Sequence, residues 1–146
     1  MQNIEKITDL GSSVDISVRF SEVDSLGIVW HGHYLKYFED GREAFGTEHG
    51  LGYLDVYKEG YVIPIVKINC DYKRSLKYGD KINIQTTYWE TDAAKLKFSY
   101  VIKNLETDEV IATGMSLQVF LDSQNNLCLN VPEFFLNWKR RIGLLK

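Results

Sequence analysis

The chain has 146 residues, 45% hydrophobic and 13% aromatic, enough for one ordinary hydrophobic core and too short for a two-domain enzyme. Seventeen Lys and Arg against 20 Asp and Glu leave a net charge of −3, so no global positive field holds nucleic acid and any anionic ligand needs a local basic patch. Cys70 and Cys128 form no C-x-x-C pair and no run of about 18 apolar residues occurs, so one soluble domain over 1–146 is expected, in a reducing cytoplasm, with no leader, disulfide, metal or cofactor.

Along the chain, Val14, Ile16, Val18 and Phe20 alternate with Asp15, Ser17 and Arg19, the period of two of a half-buried strand. A glycine-containing stretch, Ser21 to Trp30, follows. Tyr34, Leu35, Phe38, Gly41, Arg42 and Phe45 then recur at spacings of three and four, which predicts one long helix over about 31–48. Gly41 within it costs about 1 kcal/mol of helix propensity relative to alanine, a cost that close packing against another backbone would offset. Gly50 to Gly60 reads as a turn or short helix.

Strand patterns fill most of the rest. Val66, Ile68, Cys70 and Tyr72 alternate with polar residues, the Tyr78-Gly79-Asp80 turn leads into Ile82, Ile84, Thr86 and Tyr88, and Leu96, Phe98, Tyr100 and Ile102 form the next strand. Asn104 to Asp108 is a turn, Val110 to Leu121 a long strand pattern, and Asp122 to Asn126 a break. Pro132 marks the start of a final helix, roughly 132–141. Strands joined by short turns imply an α+β fold with a mainly antiparallel sheet. One long helix cannot cover the whole sheet, so a homodimer that buries apolar surface or joins sheet edges is the expected minimum.

The chemistry lies between the first strand and the helix. Asp24 stands seven residues before His31, so its carboxylate can face a helix start whose backbone N–H groups are unpaired and carry the positive dipole end. A carboxylate beside such donors suits acyl transfer, in which attack on a carbonyl carbon puts charge on its oxygen. The competing reading of Asp24 is a turn former. His31 and His33 are two apart, share no helix face and have no H-E-x-x-H or cysteine neighbour, so a metal site is not expected and His31 counts chiefly through its backbone N–H. Gly50-Leu51-Gly52 lacks the third glycine of a dinucleotide fingerprint, and no Walker loop or Gly-x-Ser-x-Gly elbow occurs. Lys73-Arg74-Ser75-Leu76-Lys77, with Lys67 and Lys81 nearby, is a basic cluster: a solvated face or a phosphate contact.

Asp24-x-x-Gly27-x-Val29-x-His31-x-x-Tyr34, continued by Phe38-Glu39 and Arg42, with the weaker Asp71-Tyr72 and Tyr78-Gly79-Asp80, resembles the hotdog-fold acyl-CoA thioesterases. The resemblance is to the group that includes 4-hydroxybenzoyl-CoA thioesterase and the Tol–Pal-associated enzymes. It implies one long helix wrapped by a sheet of about five or six strands, dimers or tetramers, and active sites at the subunit interface. It also implies Asp24 as the catalytic nucleophile or general base and the His31 N–H as the group that polarises the thioester carbonyl. The acyl group is expected near Val29, Trp30, Tyr34 and the partner chain, and the phosphates of CoA near Lys73 and Arg74. Glu22-Val23 stands where the family often has Asp-Thr, and His33 where it often has Asn. The expected function is hydrolysis of an acyl-CoA to free acid and CoA. The alternatives are an acyl-acyl carrier protein thioesterase and a non-catalytic acyl-CoA-binding module.

Overall fold

The computed structural model describes residues 5–145. Five strands form one sheet in the order β1-β3-β4-β5-β2, with β1 Glu5–Ser17, β2 Ile65–Tyr72, β3 Lys81–Thr91, β4 Lys95–Asn104 and β5 Val110–Val119. Every neighbouring pair is antiparallel. Three helices accompany them: α1 His33–His49, α2 Tyr53–Tyr57 and α3 Glu133–Ile142.

The alternation read in β3 and β4 is the alternation of burial. Ile82, Ile84, Thr86 and Tyr88 on β3, and Leu96, Phe98, Tyr100 and Ile102 on β4, all face inward. Against them α1 lays Tyr37, Phe38 and Phe45, each at most 1% exposed. Phe38 stacks on Tyr100 with ring centroids 4.5 Å apart, and Phe45 meets Phe98 edge-on at 4.9 Å. Each such ring contributes about 1.5–3 kcal/mol through burial, so these contacts fix how α1 lies on the sheet. α3 closes the far end, where the Lys139 ammonium is buried against Glu90 at 2.8 Å and the Thr91 carbonyl at 2.8 Å.

Two expectations change in detail. The first strand, read as Val14–Phe20, ends at Ser17, and Phe20 lies 73% exposed in a single 3-10 turn, Phe20–Glu22. The turn forms because the Glu22 carboxylate reaches back to the Arg19 N–H at 2.8 Å and draws the chain off the sheet. The strand instead extends back to Glu5, with a register shift between Ile7 and Gly11 that hides it from a strict period-two pattern. Gly41 does pack closely, but against side chains: a Cβ there would lie 2.3 Å from Thr86 Oγ1 and 2.9 Å from Ile84 Cγ2.

Because β2 follows α1 yet pairs with β5, the chain crosses the sheet and leaves β2 as an open edge. Val66 on that strand is 56% exposed and Tyr72 49%.

Candidate active site

Asp24 opens a small hairpin. Its carbonyl accepts the Gly27 N–H at 2.9 Å, its own N–H donates to the Ile28 carbonyl at 2.8 Å, and Val23 bridges Val29. Aspartate at the first turn position and glycine at the fourth, here with φ of 81°, are the residues that a three-residue hairpin loop with a left-handed fourth position selects. The Asp24 Oδ1 also accepts the Leu26 N–H at 2.8 Å. One carboxylate oxygen thus shapes the turn, and the half-buried side chain presents its other oxygen without a hydrogen-bond partner among the described residues. Turn former and reactive carboxylate are compatible roles for this one residue.

The hairpin is anchored from behind. The buried Glu22 carboxylate, 3% exposed, accepts the Tyr37 hydroxyl at 3.1 Å, and its backbone carbonyl accepts the Trp30 N–H at 3.1 Å. Burial beside Glu22 pushes the Tyr37 phenol far above its ordinary range, so it stays a neutral donor. Glu22 therefore ties the turn, the hairpin's return strand and α1 together.

α1 begins at His33, and His31 lies in the turn just before it, where the Trp30 carbonyl accepts the His33 N–H at 3.0 Å. The His31 carbonyl accepts the Tyr34 N–H at 3.4 Å and the Tyr72 hydroxyl at 2.8 Å. No acceptor among the described residues takes the N–H of His31 or Gly32. These are the open donors of the helix entry. The Trp30 indole, 50% exposed, lies over Gly32 with its ring 4.9 Å from that of His31 and 5.5 Å from that of His33.

The structure separates the remaining expected binding residues. Val29 and Tyr34 are 4% and 3% exposed, so in the single chain they back the site from the core, and burial raises the Tyr34 phenol to about 12. Lys73 is exposed, and Arg74 is held by Glu109 at 3.1 Å. Composition and spacing missed a cleft of about 930 Å³ between α1, α2 and the sheet. Its apolar wall is Leu51, Leu54, Ile63, Leu96 and Phe98, and it contains neither Asp24 nor His31. Only the shared fold brings these residues together, so no local motif could announce it.

A family model described as the thioesterase-like superfamily matches residues 18–139. The chain belongs to this superfamily. It is a thioester hydrolase with a hotdog-like fold, an antiparallel five-stranded sheet with helices. Among relatives, a Bacillus subtilis protein named as a candidate acyl-CoA thioesterase, YneP, is 32% identical over 87% of this chain and 91% of its own length. An acyl-acyl carrier protein thioesterase of Arabidopsis thaliana is 28% identical over 76% of this chain and 58% of that protein. The DHNA-CoA thioesterase of Staphylococcus aureus superposes with a TM-score of 0.81 at 25% identity, covering 91% of this chain and 89% of that one. Among the described residues no helix is long and apolar enough to cross a membrane.

Proposed function

We propose that this thioester hydrolase of the superfamily acts on acyl-CoA, releasing the free acid and CoA. The observation that supports the reading is an Asp24 carboxylate with one oxygen open, on a hairpin whose return strand leads directly into the turn that carries the open His31 and Gly32 N–H groups. Asp24 attacks the thioester carbon directly or takes the proton of an attacking water. The carbonyl oxygen, as it gains charge, is met by the His31 N–H, and the CoA thiolate leaves as the carbonyl reforms. By the direct route water then hydrolyses the Asp24 acyl anhydride to the free acid. By the water route the acid forms at once and the proton held by Asp24 passes to the thiolate.

The site is completed by a second copy. A two-fold-related chain joined along the open β2 edge runs antiparallel to it, which sets the Tyr72 end of one strand opposite the Ile65 end of the other. The His31 turn is bonded to Tyr72, and the large cleft is bounded by Ile63 and Ile65. Such pairing therefore carries the Asp24 hairpin of each copy to the cleft of the other. In this arrangement the acyl group occupies that cleft, with the exposed Trp30 at its mouth and the buried Val29 and Tyr34 supporting it from behind. This explains why the carboxylate and the cleft lie apart in one chain. It fits one domain spanning 1–146 that works as a homodimer or a dimer of dimers.

A second reading keeps the chemistry and changes the carrier to acyl carrier protein, and the Arabidopsis relative favours it. A fully paired, inaccessible Asp24 would favour the binding-module reading, and among the described residues one of its oxygens is open. Purified protein assayed against acyl-CoA esters of graded length and aromatic character, beside acyl carrier protein thioesters, tests the proposal. Turnover of acyl-CoA by a dimeric species is expected. Turnover only of carrier-protein thioesters would contradict the CoA assignment, and turnover of neither would contradict both.

A further inference from the structure

Next to the Asp24 hairpin, two aromatic rings stand in solvent. Phe20 is 73% exposed and Tyr78 62%, and their rings meet edge-to-face with centroids 5.6 Å apart. They come from separate segments, the 3-10 turn before the hairpin and the turn before β3, held together because Val18 and Asp80, and Val18 and Gly79, are joined by backbone hydrogen bonds of 2.8 and 3.1 Å. An edge-to-face pair leaves an open ring face, a platform on which a flat heteroaromatic ring can stack. The core does not require this pair, since neither ring is buried.

The charge around it is positive. Lys77 and Lys81 flank Tyr78 in sequence, are exposed and form no ion pair among the described residues. The nearest acid in sequence, Asp80, is half-buried, and its carboxylate accepts the Lys77 N–H at 3.0 Å. Arg19 adjoins Phe20 and also acts on Asp40, whose carboxyl is pushed up by burial and lowered by this guanidinium. A second exposed aromatic pair, Tyr53 and Tyr57 on α2, has Asp55 and Glu59 beside it against the single cation Lys58, so its local charge is not positive. Exposed rings and unpaired cations coincide at Phe20 and Tyr78.

We propose that Phe20, Tyr78, Lys77 and Lys81 bind the adenine nucleotide end of the thiol carrier: the base stacks on the aromatic pair and the phosphates meet the lysines. The inference rests on the acyl-CoA reading above and names the part of the chain that would distinguish CoA from a carrier protein, which has no nucleotide. It takes the phosphate contact from Arg74, which Glu109 holds, to residues that are free to make it. Phe20 precedes Asp24 by four residues, so their backbones lie within about 14 Å, a span that an extended pantetheine arm covers.

The test compares CoA with pantetheine in calorimetric titrations of the wild-type protein, Phe20→Ala, Tyr78→Ala and Lys77→Ala, with Phe20→Trp as the conservative variant. Loss of one stacking partner weakens CoA binding by roughly tenfold. The three alanine variants are expected to bind CoA roughly tenfold more weakly and pantetheine, which carries neither base nor phosphate, as before, with Phe20→Trp restoring CoA affinity. Equal weakening toward both ligands, or unchanged CoA affinity, would overturn the proposal. In parallel, wild-type protein is offered an acyl-CoA and the N-acetylcysteamine thioester of the same acyl group. Hydrolysis of neither is a failure of the acyl-CoA reading, seen without any variant, whereas the titrations judge the nucleotide surface by themselves.

Discussion

The phenol of Tyr72 donates a hydrogen bond of 2.8 Å to the carbonyl oxygen of His31, joining the last residue of the open edge strand to the turn that begins α1. The bond fixes the peptide on one side of His31 while the N–H on the other side stays open. Tyr72 is half exposed, so the bond adds little to stability, on the order of 0.5–1.5 kcal/mol. Its larger effect is on the aim of the donor. Tyr72→Phe is expected to lower kcat by about three- to tenfold, as the loss of about 1 kcal/mol of transition-state alignment requires, with KM and melting temperature nearly unchanged. Steady-state kinetics and a thermal melt check this.

At the crossing of α1 and β3, Gly41 sits over Thr86, whose buried Oγ1 has no hydrogen-bond partner among the described residues. Gly41→Ala gains about 1 kcal/mol of helix propensity and drives a methyl against Thr86 and Ile84, an overpacking cost of about 1–3 kcal/mol. Net destabilisation is expected. Thr86→Val removes the unpaired hydroxyl at constant shape and is expected to be neutral or to stabilise by up to about 1 kcal/mol. Urea titrations of both variants decide the signs.

Much of this arrangement was legible in the residues. The period of two in Ile82 to Tyr88 and Leu96 to Ile102 is the burial pattern of β3 and β4, and the helical spacing from Tyr34 to Phe45 falls within His33–His49. The reading of Asp24 as a turn former was legible because aspartate is favoured at the first position of such a turn. Less visible was the start of β1, since residues before Val14 do not alternate cleanly and a register shift interrupts the pairing. The 930 Å³ cleft was not visible at all, since Leu51, Ile63, Leu96 and Phe98 come from separate segments whose meeting is a property of topology. The role of Glu22 carries a faint local signal, a carboxylate three residues after Arg19, which a capping pattern can reveal.

Four buried tyrosines with raised phenol pKa values set an alkaline limit. Tyr34 is pushed up to about 12 by burial, and burial moves Tyr37, Tyr88 and Tyr100 upward as well. In the unfolded chain these phenols ionise near pH 10. Between that pH and about 12 the unfolded state has released protons that the folded state still holds, so stability falls as pH rises. Below about pH 10 the contribution is complete. Tyrosinate absorbance and far-ultraviolet circular dichroism, followed together from about pH 9 to about 12.5, are expected to show loss of structure coincident with ionisation of these tyrosines.

The central claim is that Asp24 performs the chemistry and does not only form its turn. Asp24→Asn keeps a side-chain oxygen able to accept the Leu26 N–H, so the substitution preserves the hairpin and removes the carboxylate. The kcat of this variant on the best acyl-CoA substrate, measured beside an unchanged melting temperature, is the most direct test. A fall of about 10²- to 10⁴-fold is predicted. A kcat equal to that of the wild-type enzyme would contradict the account.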